Sequence, residues 1–202
     1  DLTTGKLAAN NRLVESSQLD LTTPASAAFS LDQQVTEALS VQFSAAWTQW
    51  SEFQSIDIVS DDANPSISLN TQSAANLNAE GYIGYIPEYW QNSWSFAVGA
   101  TYVYQSDLTL KAGVAFDENP ISVEHKTARI PTDDRVWVTV GANWQLADNL
   151  SLDVAYGYLF TGDVNVDERE YNVQDQALYN SGYQGDYSNK GQLFAVQANY
   201  RF

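Results

Sequence analysis

Residues 191–202 read GQLFAVQANYRF, and this closing stretch decides how the rest of the sequence is interpreted. Apolar residues occupy every second position, at Phe194, Val196, Ala198, Tyr200 and Phe202. A period of two places successive side chains on opposite faces of a β-strand. The stretch is therefore predicted to be a strand that has one apolar face and that ends on an aromatic residue.

Earlier segments repeat this alternation, and their second faces carry small or polar residues. Leu39, Val41 and Phe43, for example, alternate with Ser40 and Gln42. No segment of comparable length has a helical period, so the predicted fold class is all-β. The predicted strands cover residues 18–31, 37–53, 95–104, 108–117, 135–146, 150–160 and 191–202.

The connections between these segments alternate between short and long. Short turns at one end of a sheet and long loops at the other are typical of outer-membrane β-barrels. The last strand then runs toward the short-turn end, which places Phe202 at the periplasmic rim, where aromatic side chains are favoured. The predicted turns are 32–34, 105–107 and 147–149, and the predicted long loops are 58–91, 118–133 and 163–189.

Composition excludes several classes of protein. The chain of 202 residues has 25 Asp and Glu against 9 Lys and Arg, a net charge of −16 that argues against a nucleic-acid partner. It has no cysteine, which excludes disulfides and thiolate metal sites. No apolar run approaches the ~20 residues of a transmembrane helix. Because the sequence begins at Asp1 rather than at a methionine, we expect it to be processed or to be part of a longer chain.

Two architectures fit the alternation. A soluble β-sandwich also alternates, but its strands are typically ~5–6 residues long, shorter than those predicted here. A transmembrane barrel needs an even number of strands, because lipid does not tolerate open sheet edges. Seven predicted strands do not close such a barrel, so the chain is expected to be the C-terminal half of a larger antiparallel transmembrane β-barrel.

Three motifs carry a resemblance to a known family: WTQWSEF at 47–53, AFDENP at 115–120 and IPTDDRVW at 130–137. With them, the stretch from Leu19 to Phe202 resembles FadL-type outer-membrane transporters of long-chain fatty acids, a family that includes importers of aromatic hydrocarbons. The resemblance implies a barrel of fourteen strands whose lumen is plugged by an N-terminal hatch. Residues 1–202 would be the C-terminal seven strands of one barrel domain, residues 1–17 being a loop or the end of a preceding strand, and the hatch and early strands absent.

The resemblance also implies a function. It implies passive transport of long-chain fatty acids or similar hydrophobic compounds across the bacterial outer membrane, without a cofactor. The expected partners are membrane lipids, lipopolysaccharide, the hydrophobic ligand and the missing N-terminal half. The alternatives are a surface interaction or structural protein with acidic loops, and a general diffusion porin.

Four residues are predicted to face the lumen and contact the ligand: Arg135, Trp137, Lys111 and Trp50. The resemblance implies that Arg135 belongs to a polar cluster near the ligand head group, and a guanidinium can hold a carboxylate by two hydrogen bonds. The alternative role for Arg135 is to neutralise Asp117, Asp133 or Asp134.

Lys111 is also expected, with Asp153 and Arg201, to point inward and to take part in ion pairs between opposite charges on neighbouring strands. Trp50 and Trp137 either pack against the plug or line a path for an apolar chain. No catalytic or metal-ligating set is predicted: His125 is the single histidine, and it lies in a long loop.

Overall fold

A computed structural model describes residues 16–61 and 81–202. Ten strands and two short 3-10 helices, Trp50–Glu52 and Val123–His125, make up the described secondary structure. Among the described residues, no helix combines the length and apolarity needed to cross a bilayer. The strands are β1 (Ser17–Leu19), β2 (Ser26–Gln34), β3 (Leu39–Thr48), β4 (Ser55–Ser60), β5 (Tyr82–Pro87), β6 (Ser93–Gln105), β7 (Leu108–Asp117), β8 (Arg135–Ala147), β9 (Leu150–Tyr171) and β10 (Ala177–Tyr200).

Seven of these strands form one sheet in the order β10-β9-β8-β7-β6-β3-β2. Every pair of neighbours is antiparallel. The predicted all-β, antiparallel seven-stranded sheet is therefore confirmed. A smaller sheet, β1-β4-β5, lies at the long-loop end.

The register places the apolar residues of adjacent strands side by side on one face. One such row contains Phe43, Val98, Val114, Val138 and Tyr158. These side chains are not covered: Val98 and Val114 are each 53% exposed, and Phe194 is 72% exposed. A soluble sandwich buries such a face in its core, so this exposed apolar face indicates the wall of a membrane barrel.

Aromatic pairs mark both ends of the apolar face. Trp94 stacks on Phe96 near the long-loop end, with ring centroids 5.8 Å apart. Tyr200 and Phe202 meet edge to face at 5.2 Å at the short-turn end. Such girdles are found where a barrel meets the two membrane interfaces.

The strands are tilted relative to the barrel axis, as the offset between successive short turns shows. β2 ends at Gln34, and the register connects this position to Gly141 on β8. β8 continues about six more residues, to Ala147, before its turn. If the short turns share one level, this stagger of roughly 20 Å over about four strand spacings gives a tilt near 45°. Transmembrane barrels have tilts of about 35–45°.

β9 and β10 are longer than predicted, and the predicted loop 163–189 is wrong. The two strands remain paired from Leu150 and Tyr200 up to Tyr171 and Ala177. A bulge interrupts their ladder, because Phe160 pairs with Lys190 whereas Asp163 pairs with Ser188. One extra residue in a strand reverses the facing of the side chains beyond it.

This reversal explains two buried valines. By simple alternation Val164 and Val166 continue the apolar face of Phe160, but beyond the bulge they lie on the inner side. They are 1% and 0% exposed, and with Ile121 they are the buried hydrophobic residues of the described chain. The hairpin therefore extends above the membrane with its own small core.

Three other predicted boundaries differ. The predicted loop 58–91 contains β4 and β5, while residues 62–80 lie outside the described part. The predicted strand 18–31 is divided, since β1 pairs with β4 and β2 starts after Pro24, whose ring nitrogen cannot donate to a ladder. The turn after β2 falls beyond Gln34 rather than at 32–34. Of the segment 1–17, only its last two residues are described, and Ser17 begins β1.

Candidate functional site on the inner face of the sheet

A trough of about 410 Å³ runs along the inner face of the main sheet. Small residues form its floor because they leave the backbone of adjacent strands uncovered. None of the described residues that line it is acidic. The small residues of the floor are Ala97, Gly99, Gly113, Ala115, Gly141 and Ala155.

Two of these glycines are held at close contacts. A Cβ atom on Gly113 would lie 3.2 Å from Thr139 Oγ1, and one on Gly141 would lie 3.2 Å from the carbonyl oxygen of Val154. A larger side chain at either position would require the neighbouring strand to move. The depth of the trough therefore depends on these residues being small.

Arg135 lies at the long-loop end of the inner face and is bound to a carboxylate. Its Nη2 is 2.6 Å from Oδ2 of Asp117, its direct partner across β7 and β8. Both side chains keep more than a third of their surface exposed, 38% for Arg135 and 36% for Asp117. Of the carboxylates considered as partners from the sequence, Asp117 is the one that Arg135 contacts.

Lys111 lines the trough and lies opposite Gly141. Within the described part of the chain it forms no ion pair. The ion pairs predicted for it are therefore wrong, and the register explains why. Asp153 lies on β9, one strand beyond the neighbour of Lys111, opposite Asn143.

Asp153 is instead held by amides. Asn143 Nδ2 donates to one carboxylate oxygen at 2.7 Å, and Asn199 Nδ2 donates to the other at 2.9 Å. Arg201 contributes its backbone N–H to the carbonyl oxygen of Asn149, at the short-turn end. The direct partners of Asp153 on this wall are thus amide groups, and Lys111 has no described carboxylate within ion-pair distance.

Trp137 also lines the trough, two residues along β8 from Arg135. Its partner on β9 is Leu159, which shares its face. Leu159 in turn covers Gly191 on β10, where a Cβ atom would lie 3.2 Å from that of Leu159. Leu193 occupies the next inner position, opposite Gly157. An apolar strip therefore crosses an inner wall whose other residues are small or polar.

Leu159 and Leu193 were not among the inner-face residues predicted from the sequence. Each precedes a phenylalanine of the outer face, in the Leu-Phe pairs at 159–160 and 193–194. Two adjacent apolar residues in an alternating strand must point to opposite faces. These pairs were the available signal for an apolar inner residue.

Trp50 does not lie on a strand. β3 ends at Thr48, and Trp50 starts the 3-10 helix that follows, so strand alternation does not assign its direction. Its ring contacts Trp90 edge to face at 4.9 Å, as does the ring of Phe53. Trp90 donates from Nε1 to Glu88 at 2.7 Å. Burial raises the pKa of the Glu88 carboxyl, and the hydrogen bond from Trp90 opposes that rise.

The loop between β7 and β8 folds over the inner side of the extended hairpin. The backbone N–H of Ala128 donates to the Glu168 carboxylate at 2.7 Å, and Asn189 Nδ2 donates to the carbonyl oxygen of Pro131 at 2.6 Å. Lys126, 5% exposed, pairs with Asp133 at 3.3 Å. We refer to this loop, residues 118–134, and the hairpin above the bulge as the outer cap.

The tip of the β9–β10 hairpin is joined to β5 and to the segment after it through Asp175. Tyr85 Oη donates to one oxygen of this carboxylate at 2.5 Å, and Tyr89 Oη donates to the other. Burial and then its hydrogen bond to Asp175 raise the pKa of Tyr85, and the separate hydrogen bond from Tyr89 to Asp175 raises the pKa of Tyr89. His125 packs between the rings of Tyr89 and Tyr171, at 5.0 and 6.1 Å.

The structure thus brings together part of the predicted set. Lys111 and Trp137 line one trough, and Arg135 adjoins it at the long-loop end. Trp50 belongs to a separate aromatic cluster beyond the end of β3. Chemically, the trough and the apolar strip beside it offer large apolar side chains, small polar groups and an ammonium group that forms no ion pair among the described residues.

Comparisons with known proteins give the family. A family described as "Outer membrane protein transport protein (OMPP1/FadL/TodX)" matches residues 2–202. The long-chain fatty acid transport protein of Escherichia coli is 25% identical over 162 residues, which cover 80% of this chain and 30% of that protein. Outer membrane protein P1 of Haemophilus influenzae strain Rd is 28% identical over 191 residues, covering 91% of this chain and 36% of the relative. This chain therefore spans about a third of the length of these relatives.

Comparison with solved structures leads to the same family and fold. The crystal structure of a Pseudomonas aeruginosa FadL homologue matches with a TM-score of 0.73 and 29% identity, covering 94% of this chain and 38% of that one. A Pseudomonas putida toluene transporter, TodX, matches in fold with a TM-score of 0.53 and 14% identity, over 96% of this chain and 40% of its own. The chain belongs to the outer membrane protein transport protein family (OMPP1/FadL/TodX), and its seven-stranded sheet is part of the wall of an outer-membrane β-barrel.

Proposed function

We propose that the protein takes part in passive uptake of long-chain fatty acids or similar hydrophobic compounds across the bacterial outer membrane. The observation that carries the proposal is the trough on the inner face together with the apolar strip beside it, formed by Trp137, which lines the trough, and Leu159, its partner on β9. A wall that only conducts water and small polar solutes has no need of such a strip. The names of two relatives, a long-chain fatty acid transport protein and a toluene transporter, point to the same class of cargo.

The cargo would slide along the strip rather than react. Burial of apolar surface contributes about 25 cal/mol per Å², so a long acyl chain gains several kcal/mol by leaving water for such a strip. Small residues beside the strip leave room for the chain to lie against the wall. Release toward the periplasm would follow by diffusion, without a nucleotide or redox cofactor.

The chain would contribute the C-terminal half of one barrel domain. β2 and β10 are the two edges of the described sheet. Open edges in lipid cost several kcal/mol for each unpaired backbone group. We therefore assign closure of the barrel to further strands of the same full-length protein, whose N-terminal part would also supply the hatch.

Of the remaining site residues, we assign Trp137 to the cargo path and Arg135 to the mouth of the trough. Trp50, in its cluster with Trp90, would line the approach at the outer rim. Lipopolysaccharide would contact the outer-facing side of the hairpin above the bulge, with divalent cations bridging its phosphates to carboxylates of the protein. That side carries Asp163, Asn165 and Asp167.

Uptake of radiolabelled oleate tests the proposal, with the full-length protein expressed in a bacterial strain that lacks its own transporter. We expect uptake above that of cells with an empty vector, at equal amounts of protein in the outer membrane. Uptake equal to the vector control for oleate and for a neutral hydrocarbon would refute it. A large steady conductance in planar bilayers would instead assign the protein to the diffusion porins.

A further inference from the structure

We propose that Lys111, rather than Arg135, selects cargo with an anionic head group, and that bound cargo lies with its carboxylate toward the periplasm and its apolar chain toward the outer mouth. This inference rests on the proposed function, since it concerns the same trough. It identifies the residue that distinguishes a fatty acid from a neutral hydrocarbon, and it fixes the direction in which the ligand lies.

Arg135 already forms an ion pair within the wall of the barrel. Its contact with Asp117, at 2.6 Å, joins two residues that are direct partners in the ladder, so the pair is held by the backbone of both strands. A second carboxylate approaching Arg135 would meet the negative charge of Asp117 at close range. Like charges at such distances repel, which makes Arg135 a poor site for an anionic head group.

Lys111 has the opposite surroundings. It forms no ion pair within the described part of the chain, and no described residue that lines the trough is acidic. Asp153, on β9 two strands from Lys111, accepts hydrogen bonds from the amides of Asn143 and Asn199. An exposed ammonium group with no ion-pair partner among the described residues is free to bind an anionic head group.

The floor beside Lys111 leaves room for a ligand. Its cross-strand neighbours are Thr101 on one side and Gly141 on the other. Gly141 presents no side chain, so the ammonium group can reach a head group that lies against the backbone there. A charge-assisted hydrogen bond between an ammonium and a carboxylate is about twice as strong as a neutral one.

The direction of the ligand follows from the positions of Lys111 and Trp137. Lys111 lies opposite Gly141, about four residues and roughly 13 Å along β8 from Trp137. β8 runs from the outer loop to a short periplasmic turn, so Lys111 is the deeper of the two. A carboxylate at Lys111 therefore places the following acyl chain against Trp137 and Leu159, toward the outer mouth.

Binding by the full-length protein in detergent micelles tests the selectivity, with laurate as the anionic probe and dodecanol as the neutral one. We expect K111M to weaken laurate binding about tenfold and to leave dodecanol binding within about twofold. K111R should retain the laurate affinity. K190M is the matched control, because it removes the same charge from the outer face, where Lys190 lies opposite Phe160.

Each other result overturns the inference. Equal weakening of laurate and dodecanol by K111M would assign Lys111 to the fold, and a laurate affinity unchanged by K111M would exclude contact with the head group. If R135Q weakens laurate binding selectively and more than K111M does, the head group binds at Arg135 rather than at Lys111. If the wild-type protein binds neither probe, the proposed function fails first, and that result is distinct from all of these.

Spin-labelled stearates test the direction. Trp137 fluorescence, taken as the difference between the wild type and W137F, should be quenched more by a label placed mid-chain than by one next to the carboxylate. K111M should remove this difference. Stronger quenching by the label next to the carboxylate would mean that the head group lies at the level of Trp137, and it would contradict the orientation.

Discussion

The small core of the outer cap gives a prediction whose size follows from the structure. Val166 is fully buried, at 0% exposure, and Val164 is 1% exposed. The change Val166→Ala removes two methyl groups, each worth about 0.8 kcal/mol of transfer free energy, and leaves a small cavity. We therefore expect the free energy of opening the cap to fall by about 2 kcal/mol.

Amide hydrogen exchange measures this opening directly, because a hydrogen-bonded amide exchanges when its segment opens. The reporter is the N–H of Ala128, which donates to Glu168 across the interface between loop and hairpin. A loss of about 2 kcal/mol raises its exchange rate roughly 30-fold, since 1.4 kcal/mol is a factor of ten. Amides of the membrane-embedded ladder, such as that of Val98, should be unaffected.

The matched control is Val98→Ala, the same chemical change at a residue of the outer face that is 53% exposed. It should leave exchange at Ala128 within about twofold. If Val166→Ala leaves the exchange rate of the Ala128 amide unchanged, the core of the hairpin does not stabilise the loop against it. The reversal of facing at the bulge would then be refuted as well.

Two further predictions concern the trough and the cap latch, which consists of the hydrogen bonds from Tyr85 and Tyr89 to Asp175. Raising the pH above the ordinary tyrosine pKa of about 10 should loosen the cap, because Tyr85 and Tyr89 have raised pKa values in the folded state and donate to Asp175 only when protonated. Exchange at the Tyr89 amide should rise with pH more steeply in the wild type than in Asp175→Ala, and parallel profiles would refute the latch. Ala115→Leu, opposite Trp137, should narrow the trough and weaken laurate binding roughly tenfold through overpacking; an unchanged affinity would exclude this wall from the binding path.

The membrane-spanning strands could be predicted from the sequence because lipid on one side and an aqueous lumen on the other impose strict alternation. β6, β7 and β8 match their predicted bounds within two residues at each end. Above the membrane this constraint disappears. Beyond Asp163, Val164 and Val166 alternate with the polar residues Asn165 and Asp167, and a single extra residue at the bulge reverses their facing. Alternation alone carries no information about that reversal.

The candidate site was predictable only in part for a related reason. Lys111 and Trp137 have the inner parity of regular strands, and they line the trough. The residues near Lys111 depend on the order of the strands in the sheet and on the register between neighbouring strands. The sequence of a single strand gives neither. Trp50 was assigned by extending β3 past Thr48, whereas the chain turns there into a 3-10 helix.

The orientation of the sheet is tested most directly by placing one lysine on each face of β3 at adjacent positions. Phe43 lies on the outer face, and Gln42 lies on the inner face, where it donates to Asp32 at 2.8 Å. Unfolding of the full-length protein in lipid vesicles by denaturant should show that Phe43→Lys loses about 2–4 kcal/mol, the cost of a lysine near the bilayer midplane. Gln42→Lys should lose less than about 1 kcal/mol, since the lumen is polar and Asp32 accepts the new charge. Equal losses, or a larger loss for Gln42→Lys, would contradict the assignment of the apolar face to lipid.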